Sequence, residues 1–395
     1  MRVHMFALLL MAGLAAPALA TGQSQISRPV TVEQLEQILA TAHGKHDREL
    51  NKQLSGLTLS ERLSAERLAQ IETELPGPAS RNTLMEICDE AGFLNLPARD
   101  LPTIAPPDTA TQNSMLTLMV KYVNQTAHAL PNFFATQETT HFETKSWMQP
   151  ARSGQAITHE PLLPLDSSTD TVYYRDGREY QQSNDAKKKI DDTSQSKMET
   201  NGEFGPILTV VLDDALHGKV TWSHWEQSSA GLMAVFSYSV ARKSSHYSVF
   251  NSDPRMVVQD HPAYHGEIAA NPADGSILRI TVQADFVPSE QNARADLLVE
   301  YGSIEIGNRT YICPVKSVAL SMVRNSSKDF ALRIHIDDNL NFFRMRINDT
   351  RFTHYHLFHA EVRMLTEDDA AADGPSPAPS PDGVPTAEPA KAPQP

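Results

Sequence analysis

Ser276-Ile-Leu-Arg-Ile-Thr-Val-Gln-Ala-Asp-Phe286 alternates with a period of two. Leu278, Ile280, Val282, Ala284 and Phe286 fall on one side of an extended chain, and Ile277, Arg279, Thr281, Gln283 and Asp285 on the other. Successive side chains of a strand point to opposite faces, so the pattern predicts a strand in a sheet with one buried face. Asn271-Pro-Ala-Asp-Gly275, just upstream, has turn chemistry and joins this strand to another over 264–270.

The same period extends outward from Phe133 to about residue 365. It predicts strands over 132–143, 219–226, 231–241, 245–250, 264–270, 276–286, 295–305, 309–312, 315–324, 330–336 and 352–365. Asp176-Gly177, flanked by tyrosine-rich runs, predicts a two-residue hairpin. Ile306-Gly307-Asn308 predicts a second. One helix interrupts the strands over 204–216, with Pro206 early and Ile207, Leu208, Val211, Leu212 and Leu216 along its apolar face. The polar stretch 183–201 reads as a loop.

Residues 28–130 read as helices. Thr31-Val-Glu-Gln34 is a capping box ahead of Val32, Leu35, Ile38, Leu39 and Ala42. Ser60, Ser64 and Ser80 are further N-cap candidates, and Pro76-Gly77-Pro78 breaks the chain. A longer helix over 108–129 gathers Met115, Leu118, Met119, Tyr122 and Val123 on one face. About ten strands joined by short turns favour an antiparallel meander, and a flat sheet of that width would expose long edges and an oily face. The expected fold class is therefore α+β. A helical segment over 21–130 precedes a strongly curved antiparallel half-barrel over 131–366, with one or more helices packed on it.

The two ends read differently. Met1 to Ala20 has one arginine, an apolar run and a terminal Ala18-Leu19-Ala20, the pattern of a cleaved signal peptide, which implies export to the periplasm or beyond. No later apolar run is long enough to span a bilayer. Residues 367–395 are rich in Pro and Ala and are expected to be a disordered tail. The formal net charge of −14 argues against binding a phosphate backbone, so no nucleic-acid partner is expected. Cys88 and Cys313, far apart in the chain, leave two readings open: a disulfide, which export permits, or two small buried thiols.

Three constellations bear on chemistry. His354 and His356, two apart on an expected strand, point to the same face and are weak metal-ligand candidates. In Trp222-Ser-His-Trp-Glu226, strand alternation puts Trp222, His224 and Glu226 on one face and Trp225 on the other, pairing an imidazole with a carboxylate. Tyr264-His-Gly-Glu267 offers a similar pair, and in both cases a packed sheet face with a polar rim explains the residues without catalysis. No Gly-x-Ser-x-Gly, His-Glu-x-x-His or phosphate-binding loop is present, and no cofactor is expected.

Asn201-Gly-Glu-Phe-Gly-Pro-Ile207, Trp222-Ser-His-Trp-Glu226, Tyr264-His-Gly-Glu-Ile268 with Asp274-Gly-Ser-Ile-Leu-Arg279, and Val299-Glu-Tyr-Gly302 running to Tyr311-Ile-Cys-Pro314 resemble an uncharacterised family of exported bacterial proteins. The resemblance covers about 30–365 and implies no functional residues. The expected architecture is also similar to periplasmic lipoprotein carriers of the LolA/LppX type, whose bent sheets hold acyl chains; this is a likeness of fold alone. Three functions follow. The first is a carrier of a hydrophobic, lipid-like ligand lined by Phe236, Tyr238, Leu278, Ile280 and Val282. The second is a structural or interaction module docking envelope proteins through its acidic surface and tail. The third, ranked below both, is a metal-dependent enzyme using His354 and His356.

Overall fold

The computed structural model describes residues 29–144, 161–183, 198, 202–253, 256–287, 292–325 and 342–358. The expected signal peptide, the tail, most of the 183–201 loop and the strand expected over 330–336 lie outside the described residues.

The helical segment contains α1 (Val32–Thr41), α2 (Asp47–Leu54), α3 (Ala65–Glu74), α4 (Pro78–Glu90) and α5 (Thr109–Ala129). A short parallel pair, β1 (Pro29–Val30) and β2 (Thr58–Leu59), ties its start together. The capping box forms as expected: Thr31 Oγ1 accepts from Gln34 N at 3.2 Å and Gln34 Oε1 accepts from Thr31 N at 3.0 Å. Ser64 caps α3 by accepting from Arg67 N.

Ser60 caps no helix; it follows β2, and its N–H bonds the Val30 carbonyl. The Ser80 expectation is also corrected. α4 starts earlier, at Pro78, and its first turn is capped from outside by Asp47, which accepts from Ala79 N at 3.0 Å and Ser80 N at 2.8 Å. A carboxylate supplied by another helix satisfies the donors that a local side chain would otherwise meet.

The remaining elements are β3 (Phe133–Thr144), β4 (Leu162–Arg175), β5 (Arg178–Ser183), α6 (Pro206–His217), β6 (Lys219–Ser228), β7 (Gly231–Val240), a separate hairpin of β8 (Val249–Asp253) and β9 (Met256–Asp260), then β10 (Ala263–Ala270), β11 (Ile277–Asp285), β12 (Asn292–Ile306), β13 (Arg309–Asn325) and β14 (Phe342–Leu357). The expected hairpin is present, with Asp176 at φ 51° and Gly177 at φ 77°, the left-handed geometry that Asp-Gly tolerates. The two strands expected over 309–312 and 315–324 are one, β13; Pro314 sits opposite Tyr301, where the β12–β13 register shifts.

Ten strands form one antiparallel sheet in the order β5-β4-β3-β14-β13-β12-β11-β10-β7-β6. β3 pairs with β14, so the first and last strands of this region lie side by side in the middle. The sheet is neither closed nor strongly curled, and β5 and β6 are its edges. Helices cover its apolar surface on both faces.

On one face, Met115, Met119 and Val123 of α5 and Ile207, Leu208, Val211 and Leu212 of α6 pack over Phe236, Tyr264, Ile280, Val282 and Val299. On the other, Leu298, Val318, Leu320 and Ile347 form a second apolar patch that Phe93, just past α4, packs against. The helical layer above that patch has a core of its own, including Val32, Leu35, Leu54, Leu84 and Ile87. The chain passes from this layer to α5 through the proline-containing stretch 101–108, which is tied to the edge strand where Trp225 Nε1 donates to the Ala105 carbonyl at 3.0 Å.

Candidate functional site

Two bulges decide what faces the helical layer. The β6–β7 register shifts between Trp222 and His224, so Ser223 is an extra residue. Trp222 and Trp225, expected on opposite faces, therefore come together with ring centroids 4.8 Å apart, and both pack on the α5/α6 side. The second shift, between Ala269 and Ala270, pairs Ala269 with Arg279 and Ala270 with Ile277, leaving Leu278 unpaired. Leu278 consequently leaves the expected row. It packs with Met233, Val235 and Ala269, while Phe236, Tyr238, Ile280 and Val282 lie in the core beneath α5 and α6. Four of the five expected ligand-lining residues are thus packed against helices, and the fifth faces the helical layer.

That face carries a row of charge. Arg279 of β11 stands opposite Glu300 of β12, which stands opposite Lys316 of β13. At its β6 end, Glu226 accepts from Arg279 at 2.5 and 2.9 Å and from Arg62 of the helical layer at 2.9 Å. All three are buried. Glu267 of β10 lies 3.5 Å from Arg279, and His224 Nε2 lies 3.6 Å from Glu226. Burial opposes the charge on Glu226, but the His224 contact and the two guanidinium groups outweigh it and hold the carboxyl far below the usual carboxylate range. At the other end of the row, Lys316 Nζ lies 2.6 Å from Asp89 of α4 and 3.5 Å from Asp349 of β14.

Between these two bridges lies a cleft of about 510 Å³. Its apolar lining includes Leu63, Leu68, Met233, Leu278, Leu298 and Val318, and its polar ends are formed by Arg62, Glu226 and Arg279 on one side and Asp89 and Lys316 on the other. A smaller, more polar cleft of about 330 Å³ shares Arg62 and Arg279 and is bounded by Asn95, Ser237, His265, Thr281 and Gln283.

The histidine pair expected on β14 meets a third irregularity. The β14–β3 register shifts between Thr353 and His356, and His354 has φ 51°. His354 and His356 are both exposed; the former meets Thr353 Oγ1, and the latter packs on Phe134. Among the described residues, no group of three His, Cys, Asp or Glu side chains is placed to hold a metal ion. Cys88 and Cys313 are free, buried and in different apolar clusters, so the disulfide reading gives way to the two-thiol one.

Sequence reasoning missed two clusters. Asp214 of α6 is buried and accepts from His246 N at 2.8 Å, His246 Nδ1 at 2.6 Å and Tyr264 Oη at 2.8 Å, joining three segments. Glu179 of β5, partly buried, accepts from Gly202 N and Phe204 N, holding the leader of α6, and Glu203 is buried.

Burial and the negative charge of Glu203 push the Glu179 carboxyl up to about 8. A carboxyl that holds its proton more tightly in the folded chain stabilises the fold at low pH. That contribution is lost as the pH rises from the ordinary carboxylate range through the raised value. Melting temperature should therefore fall between pH 6 and pH 9, and Glu179→Gln should shrink that fall in thermal unfolding followed by circular dichroism. An unchanged slope in the variant would refute this assignment.

Compared with known proteins, the chain matches no family model, no curated protein and no solved structure.

Proposed function

We propose that this chain is an exported, non-enzymatic binding protein that holds an amphipathic, lipid-like ligand in the cleft between its helical layer and its sheet. The observation that carries this reading is the cleft itself. At about 510 Å³ it lies within the range of small-molecule sites, about 300–1,000 Å³, and it combines apolar walls with charged ends. Leu278, expected from the sequence to touch ligand, lines it. Arg62, Glu226 and Arg279 at one end and Asp89 and Lys316 at the other form ion pairs with one another, which suits holding a ligand better than moving protons.

Export rests on the signal-peptide pattern of residues 1–20. The half-barrel of the LolA/LppX carriers remains a proposal about the same strand order, in which the chain runs from one sheet edge, β5, through α6 to the other, β6. No helix among the described residues is long and apolar enough to cross a membrane. The alternative, an envelope interaction module, draws chiefly on the tail, which lies outside the described residues.

Dodecanoate titrated into the protein, followed by native mass spectrometry and calorimetry, is the direct test. One equivalent should bind at micromolar concentration. Leu278→Trp, which fills the cleft from its floor, should weaken binding at least tenfold while leaving the circular dichroism spectrum intact. Equal binding by the variant would remove the cleft from consideration.

A further inference from the structure

Four rings line up across four adjacent strands near the β5 edge of the sheet. His356 of β14 stands opposite Phe134 of β3, Phe134 opposite Tyr173 of β4, and Tyr173 opposite Tyr180 of β5. Residues directly opposite in antiparallel strands share a face, so the four make one row. Ring centroids lie 5.3 Å apart for Phe134 and His356 and 6.2 Å apart for Phe134 and Tyr173. Tyr180 is 51% exposed, His356 is exposed, and Phe134 and Tyr173 are partly exposed. Their chain neighbours Phe133, Tyr174 and Tyr355 point the other way, into the core around Phe204.

An irregularity completes the row. Strict alternation after Thr353 would put Tyr355 on this face and His356 in the core. The left-handed backbone at His354, φ 51°, and the register shift between Thr353 and His356 reverse the two. That conformation is unfavourable for a residue with a Cβ, and its result is the fourth ring.

Polar groups flank the rings on both sides. Thr353, Thr136, Thr171 and Gln182 stand opposite one another in the next row of the same face. On the hairpin side, Arg175 and Arg178 pair two residues beyond Tyr173 and Tyr180, and both are exposed. Arg175 lies 3.4 Å from Asp176, an exposed contact of little strength. α4 meets this face further along β14, where the Arg351 guanidinium lies 3.6 Å from Met85 Sδ. None of the ring residues lines the cleft.

An exposed apolar patch rimmed by polar residues marks a binding surface. Its dimensions and chemistry select the occupant. Neighbouring strands lie about 4.8 Å apart, so four rings span about 14 Å, close to the length of about three linked pyranose units. Pyranose rings offer apolar C–H faces to aromatic rings and hydroxyls at their edges, which suit a row of hydroxyl and amide groups. Two exposed guanidinium groups in a chain of net charge −14 match carboxylates, which arginine binds with paired N–H donors. The same net charge disfavours a second copy of the chain and a nucleic-acid strand.

We infer that this face is a glycan platform: the ring row stacks the sugar faces of a β-linked polysaccharide strand, and Arg175 and Arg178 meet carboxylates that the strand carries. It is independent of any ligand in the cleft.

Hexamannuronate, an acidic β-linked hexasaccharide, titrated into the full chain by calorimetry is the test, with cellohexaose as its neutral counterpart. Hexamannuronate should bind one to one and about tenfold tighter than cellohexaose. Tyr173→Ala with Tyr180→Ala should weaken it about tenfold or more. Tyr180→Ala alone, at an exposed position, should weaken it at least about threefold, and it carries the test where the double variant fails to fold. Arg175→Gln with Arg178→Gln should erase the preference for the acidic sugar. Leu278→Trp should leave hexamannuronate binding unchanged. The platform is overturned if hexamannuronate does not bind at about 1 mM, if Tyr180→Ala binds it as well as the parent does, or if cellohexaose or a thymidine hexanucleotide binds as tightly. Self-association that Tyr180→Ala abolishes, without glycan binding, would assign the rings to a dimer instead.

Discussion

Glu226→Leu should lower the stability of this protein by about 3–5 kcal/mol, the usual cost of removing one partner from a buried ion pair. Glu226 is 4% exposed and receives three hydrogen bonds from two guanidinium groups, both themselves buried. Removing its charge leaves Arg62 and Arg279 close together in a site where burial already opposes the charge on Arg62. Glu267 is the nearest remaining anion to Arg279, and at 3.5 Å and partly exposed it offers weak compensation.

The loss should be visible as a large drop in the urea midpoint at pH 7. Replacing all three residues together, Arg62→Met, Glu226→Leu and Arg279→Met, should recover most of it. Three apolar side chains of similar volume avoid the desolvation cost that the charged trio carries. A single variant as stable as the parent would mean that the bridge contributes little to joining the helical layer and the sheet.

Gly275→Ala should cost about 2–5 kcal/mol and loosen α5. Gly275 has φ 77°, a left-handed conformation that costs an alanine about 1–2 kcal/mol. It closes the turn before β11, where its N–H donates to the Asn271 carbonyl at 2.9 Å. A methyl group there would lie 2.3 Å from Leu118 C and 2.6 Å from Met119 N, in the middle of α5. Helix backbone cannot move aside as a side chain does, so overpacking of about 1–3 kcal/mol is added.

Gly177→Ala is the comparison. Its φ is also 77°, but nothing lies within 4 Å of the added carbon. The two variants should therefore differ by the packing component alone. Urea unfolding measures the gap, and exchange protection of residues 115–123 shows whether α5 is the element released. Equal destabilisation by both would mean that the turn does not hold α5.

Much of the fold is legible in the residues because its causes are local. The alternation over 276–286 gives β11, Asp176-Gly177 gives a hairpin, and Thr31 with Gln34 starts α1. Facing directions are less legible. Strict alternation puts Leu278 beside Ile280 and Trp222 beside His224, and each expectation fails at a single extra residue in one strand. Such a residue is defined by the register of the partner strand, which no period within one segment encodes. The same holds at His354, where the register shift and the left-handed backbone could not be read from the segment itself.

The candidate site was legible only in fragments. His224, Glu226 and Glu267 stood out as an imidazole and two carboxylates, and Leu278 as an apolar lining residue. Arg62, 164 positions before Glu226, carried no signal of its own. Neither did Asp89, 227 positions before Lys316.

By itself, then, the sequence determined the capped helices and the strands that alternate cleanly, though not β9 or the first halves of β4 and β14, because hydrogen-bonding propensity, capping and side-chain period act over a few neighbouring residues. The tertiary structure alone decided which face each strand presents, that helices cover both faces of an open sheet, and that distant charges meet around a cleft. Those outcomes depend on strand register and on desolvating charges from remote segments together, and both are properties of the assembled chain.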